Sequence, residues 1–266
     1  MSTLKAYVGS VRIGFAETFV YRWAVVIDMF AEVVLLLAFY FLWRAVFAAA
    51  PHQELQGLTF ADFFAYLLIA RFVATMTTSS GWGFFYEPVR SGDILLDLSR
   101  PLSLGGVTFC QHLGSKLAQL LLVAPAFLLA ALLLGIFAGM TLNPWLFVLS
   151  LLIAFSAAFC FELLVSISAF YTLAQQGIHE AKALAVTLLS GALFPLALLP
   201  APLAGVLGLL PFAHFVYTPS QVLLGNISGG ALWNAMAVQL AWTLALASLS
   251  ALALRRVRLH YDLQGG

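Results

Sequence analysis

Charge is what this sequence has least of. Asp, Glu, Lys and Arg make up 9% of its 266 residues, where soluble domains carry roughly a quarter. With 63% hydrophobic residues and a mean hydropathy of +1.02, a water-soluble domain is excluded and a polytopic membrane protein is indicated. Cysteine is scarce too. The two present, Cys110 and Cys160, share neither loop-closing nor ligand-like spacing, so no disulfide framework and no metal site is indicated. Each reads as an inert small hydrophobe. Catalytic signatures are missing: there is no H-E-x-x-H, no G-x-S-x-G and no clustered set of His, Asp and Glu. The "GSK" at Gly114 to Lys116 lacks the glycine-rich run before it and the Ser or Thr after it, which excludes a phosphate cradle of that type. His52, His112, His179, His214 and His260 are scattered through loops and span ends and read as interfacial or capping groups. The sequon at Asn226 lies close to the membrane and carries no weight. Long polar linkers, low-complexity tracts, internal repeats and an extended soluble domain are absent as well. The net charge of +1 hides a spatial asymmetry, and no nucleic-acid partner is expected.

What is there is a succession of apolar runs near the 20 residues that a membrane-crossing helix needs. Six spans are expected: Trp23 to Trp43, Phe60 to Trp82, Leu117 to Ala138, Pro144 to Phe170, Ala183 to Leu199 and Ala231 to Leu254. "FAAAP" at Phe47 to Pro51 looks like a cleavage site, but the apolar run before it is too long for a signal core and contains Asp28 and Glu32. It reads as a retained span. Residues 1–22 place Leu4, Val8, Val11, Phe15 and Phe19 at spacings of three or four, the pattern of an amphipathic helix in the membrane interface. Residues 23–266 then form one six-span domain.

Basic residues set the orientation. Lys5, Arg12, Arg22, Arg90, Lys182 and the arginines at 255, 256 and 258 fall on one side with Arg100 and Lys116, and Arg44 alone lies near the other. The positive-inside rule puts both termini in the cytoplasm. Asn143 and Pro144 supply a helix cap and a first-turn proline, so spans three and four make a tight hairpin. Residues 200–225, "PAPLAGVLGLLPFAHFVYTPSQVLLG", are too apolar for a solvated loop, yet four prolines interrupt any continuous helix. A re-entrant pair of short helices dipping from the outer face is expected there.

Charges inside spans are costly and face protein or water. Glu32 and Arg71 both fall near the middle of spans one and two, which are adjacent and antiparallel, so a Glu32–Arg71 ion pair is expected. Asp28 and Glu162 sit nearer the cytoplasmic side. These four residues are either structural or line an inner cavity for a cationic or zwitterionic substrate.

The one charge-dense stretch is "EPVRSGDILLDLSRPLS", Glu87 to Ser103. Pro88 is expected to end the second span's helix, Gly92 to allow a sharp turn and Asp93 to cap a short helix with leucines on one side and charge on the other. Such a helix suits a groove on another protein; a loop that only anchors topology is the competing reading.

"RSGDILLDLSRPLS" resembles the signature of a branch of type-2 ABC exporter permeases, and Phe194 to Gly225 is similar to that family's proline-punctuated outer segment. The likeness extends over the whole chain. It implies an all-α polytopic fold in the inner (cytoplasmic) membrane, with a coupling segment at 86–104 that docks on a separate ATP-binding cassette subunit. Glu87, Arg90, Gly92, Asp93, Asp97, Arg100 and Pro101 would make that contact, and Glu180 and Lys182 a smaller second one. It further implies a second permease chain, identical or homologous, with no cofactor in this chain and with ATP and Mg on the partner ATPase. Transport without catalysis is expected. The alternative is an ion-coupled secondary transporter using Asp28, Glu32, Arg71 and Glu162; it predicts inverted repeats, which the sequence does not display.

Overall fold

A computed structural model describes residues 3–50, 54–78, 83–99, 102–133, 135, 142–172 and 174–264, with side chains as far as residue 259. The expected sites Arg100 and Pro101 lie outside the described residues, as does His52. The chain is an all-α polytopic membrane protein. Helix α1 (Thr3–Val20) is followed by α2 (Arg22–Ala49) and a two-stranded hairpin, β1 (Glu54–Leu55) and β2 (Leu58–Thr59). The hairpin turns through Gln56 and Gly57, both at positive φ (49° and 79°), the geometry that matches strand twist in a two-residue loop. Thr59 then starts α3 (Phe60–Thr77) through a capping box: its hydroxyl accepts from Asp62 N, and the Asp62 carboxylate accepts from Thr59 N. Two short helices follow, α4 (Tyr86–Ser91) and α5 (Ile94–Ser99), then α6 (Leu104–Leu133), α7 (Pro144–Ile167), α8 (Gln175–Leu189), α9 (Ala201–Leu209), α10 (Tyr217–Leu223) and α11 (Gly229–Gln264).

Among the described residues, α2, α3, α6, α7 with its 3-10 extension, and α11 are long and apolar enough to cross a membrane. A sixth candidate is the pair Ala201–Leu209 and Pro211–Leu223, bent by 76°. Helix α3 is the core of the bundle, with Phe63, Leu67, Ala70 and Val73 fully buried. Small residues on α7, Ala154, Ala157 and Ala158, let neighbouring elements approach it closely. A second apolar cluster, built from Phe85, Ile94, Phe159, Leu163 and Val257, seats α4 and α5 on the ends of α7 and α11.

Several expected boundaries are corrected. The fifth span is not a continuous helix over 183–199: α8 starts at Gln175 and stops at Leu189, because Gly191 turns the chain at φ 82° and Pro195 prevents its resumption. The backbone exposed at that break is satisfied by Tyr66 Oη donating to Gly191 O (2.7 Å) and Tyr217 N donating to Ser190 O (3.1 Å). Helix α6 begins at Leu104, well before Leu117. Pro88 does not end a span; it sits in the first turn of α4, where its missing N–H costs no hydrogen bond. Asn143 precedes α7, but its side chain makes no capping bond.

Helix α1 is docked along the first half of α6. Tyr7 meets Gly106, Val11 meets Gly114, Gly14 meets Gln111 and Thr18 meets Ser115, so the two helices run parallel. Glycines make this approach: a Cβ on Gly114 would stand 2.0 Å from Val11 O, and one on Gly14 would stand 1.9 Å from Gln111 O. Ser115 Oγ adds a hydrogen bond to Gly14 O (3.0 Å). The face α1 buries is thus small and polar, and Leu4, Val8, Ile13 and Val20 are exposed.

Candidate functional site

Two places on this scaffold concentrate the candidate side chains. The first is a partly open cavity of about 490 Å³ lined by α2, α3, α6, α7, α8 and residues between 190 and 216. Counting along the antiparallel helices α2 and α3 brings Glu32 and Arg71 to one level, and the structure joins them: Arg71 Nε and Nη2 both donate to the Glu32 carboxylate, the second at 2.6 Å. This bidentate geometry holds two charges in an apolar surrounding at the least desolvation cost. Asp28 lines the same cavity one turn away on α2.

On the opposite wall, Glu162 of α7 accepts a 2.5 Å hydrogen bond from Lys182 of α8. Its second oxygen, Oε1, has no hydrogen-bond partner and stands 3.5 Å from His179 Nδ1. Burial holds the His179 imidazole below its ordinary value; Glu162 opposes that shift and Lys182 adds to it. Lys116 of α6 also faces the cavity and donates to Thr75 O (2.7 Å) and Gln119 Oε1 (2.9 Å), both uncharged acceptors. Ser190, fully buried on the same wall, has a hydroxyl with no hydrogen-bond partner.

The second place is the α4–α5 pair. Gly92 joins the two helices at φ 84°, a left-handed conformation that glycine adopts without strain. Asp93 lies at the start of α5, its backbone carbonyl accepting from Leu96 N (3.0 Å) and its carboxylate from Ser91 Oγ (2.7 Å). Ile94 is 3% exposed and anchors α5 in the apolar cluster, whereas Leu95 and Leu96 are 57% and 63% exposed. Glu87 and Arg90 form a solvent-facing pair on α4 at 3.6 Å. Asp97 is half-buried and turned toward a smaller cavity beside α6. Arg258 Nη2 ties the element to α11 by donating to Leu98 O (3.1 Å). A rigid seat therefore presents an apolar pair flanked by charge.

The family model described as ABC-2 family transporter protein matches residues 33–265 of this sequence. The chain belongs to that family. No curated protein matches it. ABC-2 permeases are membrane subunits that associate with an ATP-binding subunit, which places the chain in a multi-pass membrane assembly.

Of the residues singled out in the sequence, the structure brings Asp28, Glu32, Arg71 and Glu162 to one cavity, and Glu87, Arg90, Gly92, Asp93 and Asp97 to one external element. Glu180 is exposed on α8, and Lys182 is directed inward onto Glu162 rather than outward beside it. Sequence reasoning did not find Lys116, Thr75, Gln119 or Ser190. Lys116 counts as a flanking basic residue only while α6 is taken to begin at Leu117; Gly105, Gly106 and Gly114 were the signal of a helix packed closely ahead of that point.

Proposed function

We propose that this chain is the permease subunit of an ATP-binding-cassette exporter, forming the translocation pathway and coupling to a separate ATPase through residues 86–104. The observation that carries the reading is the α4–α5 element: two short helices seated by Phe85 and Ile94 and presenting Leu95, Leu96 and Asp93 outward. Exposed leucines cost free energy in water and are retained where a partner covers them. ATP and Mg bind to the partner chain, a second permease chain completes the pathway, and residues 200–225 form a re-entrant outer segment. The amphipathic α1 and both termini lie on the cytoplasmic side of the inner membrane, together with α4 and α5. Closure of the ATPase pair shifts the spans between inward and outward access through differential contacts at this element. A proton relay through Glu32 and Glu162 is disfavoured because each is engaged by a cation, Arg71 and Lys182.

The test is co-purification of the tagged chain from its native membranes in mild detergent, followed by mass spectrometry. The unmodified chain should bring down a Walker-motif ATPase, and a Leu95→Asp, Leu96→Asp, Asp93→Arg variant should lose it while keeping its own elution profile. Failure to recover an ATPase even after crosslinking would overturn the assignment.

A further inference from the structure

The cavity between α2, α3, α6, α7 and α8 has a charge inventory that does not close on itself. Two of its carboxylates are matched, Glu32 by Arg71 and Glu162 by Lys182. Asp28 and Lys116 remain. Among the described residues Asp28, exposed at the rim of the cavity, has no hydrogen bond or ion pair, and the half-buried Lys116 is held only by the uncharged oxygens of Thr75 and Gln119. Charged groups at membrane depth are retained where they meet a counter-charge or water.

The two lie at one depth. Asp28 is one turn from Glu32 on α2, and Thr75, which holds Lys116, is one turn from Arg71 on the antiparallel α3, both displaced toward the α4–α5 end of the bundle. Farther along the same helices, away from that end, the lining becomes apolar through Leu35, Leu36, Val123 and Phe127. The cavity is therefore amphipathic along its length, with two ion pairs, one further anion and one further cation at its charged end and hydrocarbon at the other. Ser190 Oγ and Glu162 Oε1, two further polar atoms on its wall, have no hydrogen-bond partner among the described residues, Glu162 Oε1 standing 3.5 Å from His179 Nδ1. The volume, about 490 Å³, is that of a small-molecule site.

We propose that this cavity binds a zwitterionic amphiphile, its cationic group at Asp28, its anionic phosphate or carboxylate at Lys116, and its tail along Leu35, Val123 and Phe127. A purely anionic ligand leaves Asp28 unmatched and repelled, and a purely cationic one does the same to Lys116. The inference names the cargo class for the permease role and in that respect rests on it.

The test uses the full chain, with whatever ATPase co-purifies, in nanodiscs of phosphatidylglycerol, which supplies no competing zwitterion. Binding of tritiated dodecylphosphocholine below its micellar concentration is measured against empty discs, with dodecyl phosphate and dodecyltrimethylammonium as competitors. Saturable binding with the zwitterion preferred by about tenfold is expected. Asp28→Asn should shift preference to dodecyl phosphate, Lys116→Met should shift it to dodecyltrimethylammonium, and Lys116→Arg should keep the original order. Absence of saturable binding, equal competition by all three, or variants that weaken every probe alike would overturn the proposal. Charge-selective binding in preparations without an ATPase would leave the site standing and remove the permease reading; an ATPase lost with the Leu95 and Leu96 variant, without charge-selective binding, would do the reverse.

Discussion

Lys182 reaches from α8 to Glu162 on α7 at 2.5 Å, and both side chains are almost entirely withdrawn from solvent. Removing one member of such a pair strands the other charge, at a cost of about 3–5 kcal/mol, whereas removing both is far milder. Lys182→Met should therefore lower the thermal midpoint of the purified protein sharply, and adding Glu162→Gln should recover most of the loss. A single variant as stable as the double would show that the pair carries no coupling.

Acid should weaken the same corner. The folded state holds His179 below its ordinary imidazole value of 6.5, chiefly by burial. The unfolded chain therefore binds the proton more readily, and stability falls as pH drops from that ordinary value toward the depressed folded one. Thermal melts across this window should show a decline that His179→Gln flattens; a parallel decline in the variant would assign the effect to other groups.

Glycines of the α1–α6 pair should respond oppositely to the same substitution. Gly9 has open space where a Cβ would stand, whereas Gly114 on α6 would drive one to 2.0 Å from Val11 O. Gly9→Ala should be neutral or stabilise by about 0.5–1 kcal/mol through helix propensity. Gly114→Ala should cost about 1–3 kcal/mol by forcing α1 off α6, read as a drop in melting temperature and as new protease cleavage within residues 3–20.

Gln239 on α11 is fully buried, accepts from Ser150 Oγ (2.9 Å) and donates to Ser150 O (3.1 Å) and His214 O (2.9 Å). It is the polar clasp between α11, α7 and the turn before α10. Gln239→Leu should cost about 1–2 kcal/mol, the range for interhelical hydrogen bonds in bilayers, and should raise thiol labelling of a cysteine placed at Ala213. Unchanged labelling would mean that packing alone holds the turn.

At Gly92 the backbone rather than a side chain decides. Alanine at φ 84° costs about 1–2 kcal/mol, and asparagine tolerates that region better. Gly92→Ala should leave the bundle folded while reducing recovery of the ATPase, with Gly92→Asn intermediate. Equal recovery from all three would separate the turn from docking.

The parts of this fold legible in the sequence are those set by counting along neighbouring helices. Glu32 and Arg71 meet because α2 and α3 are joined by a short hairpin and rise equally per residue. The α4–α5 turn is written in Gly92 and its flanking leucines. What counting does not reach is contact between elements far apart in the chain. The α1–α6 pairing depends on matched small residues about a hundred positions apart, a pattern with no local period. Lys116 and Lys182 resemble topology anchors in sequence, but α6 begins well before Lys116 and Lys182 is drawn onto Glu162, so both line the cavity. The proline pattern near 195–219 signals interrupted helix, yet the break itself comes earlier, at Gly191, where tertiary hydrogen bonds from Tyr66 and Tyr217 accept it.

The order of synthesis sets α1 a problem of timing. Its seat on α6, the stretch containing Gly106, Gln111, Gly114 and Ser115, emerges from the ribosome later than α1 itself, since 101 positions separate Gly14 from Ser115. At about 5–20 residues per second the delay is roughly 5 to 20 s. During that interval α1 lacks the glycine-lined surface that receives Ser10 and Gly14, and Leu4, Val8, Ile13 and Val20 stay exposed even after docking. Leu4 and Val8 lie on one flank of the docked face and Ile13 and Val20 on the other, so in the finished bundle α1 shows apolar side chains on both sides of its seat.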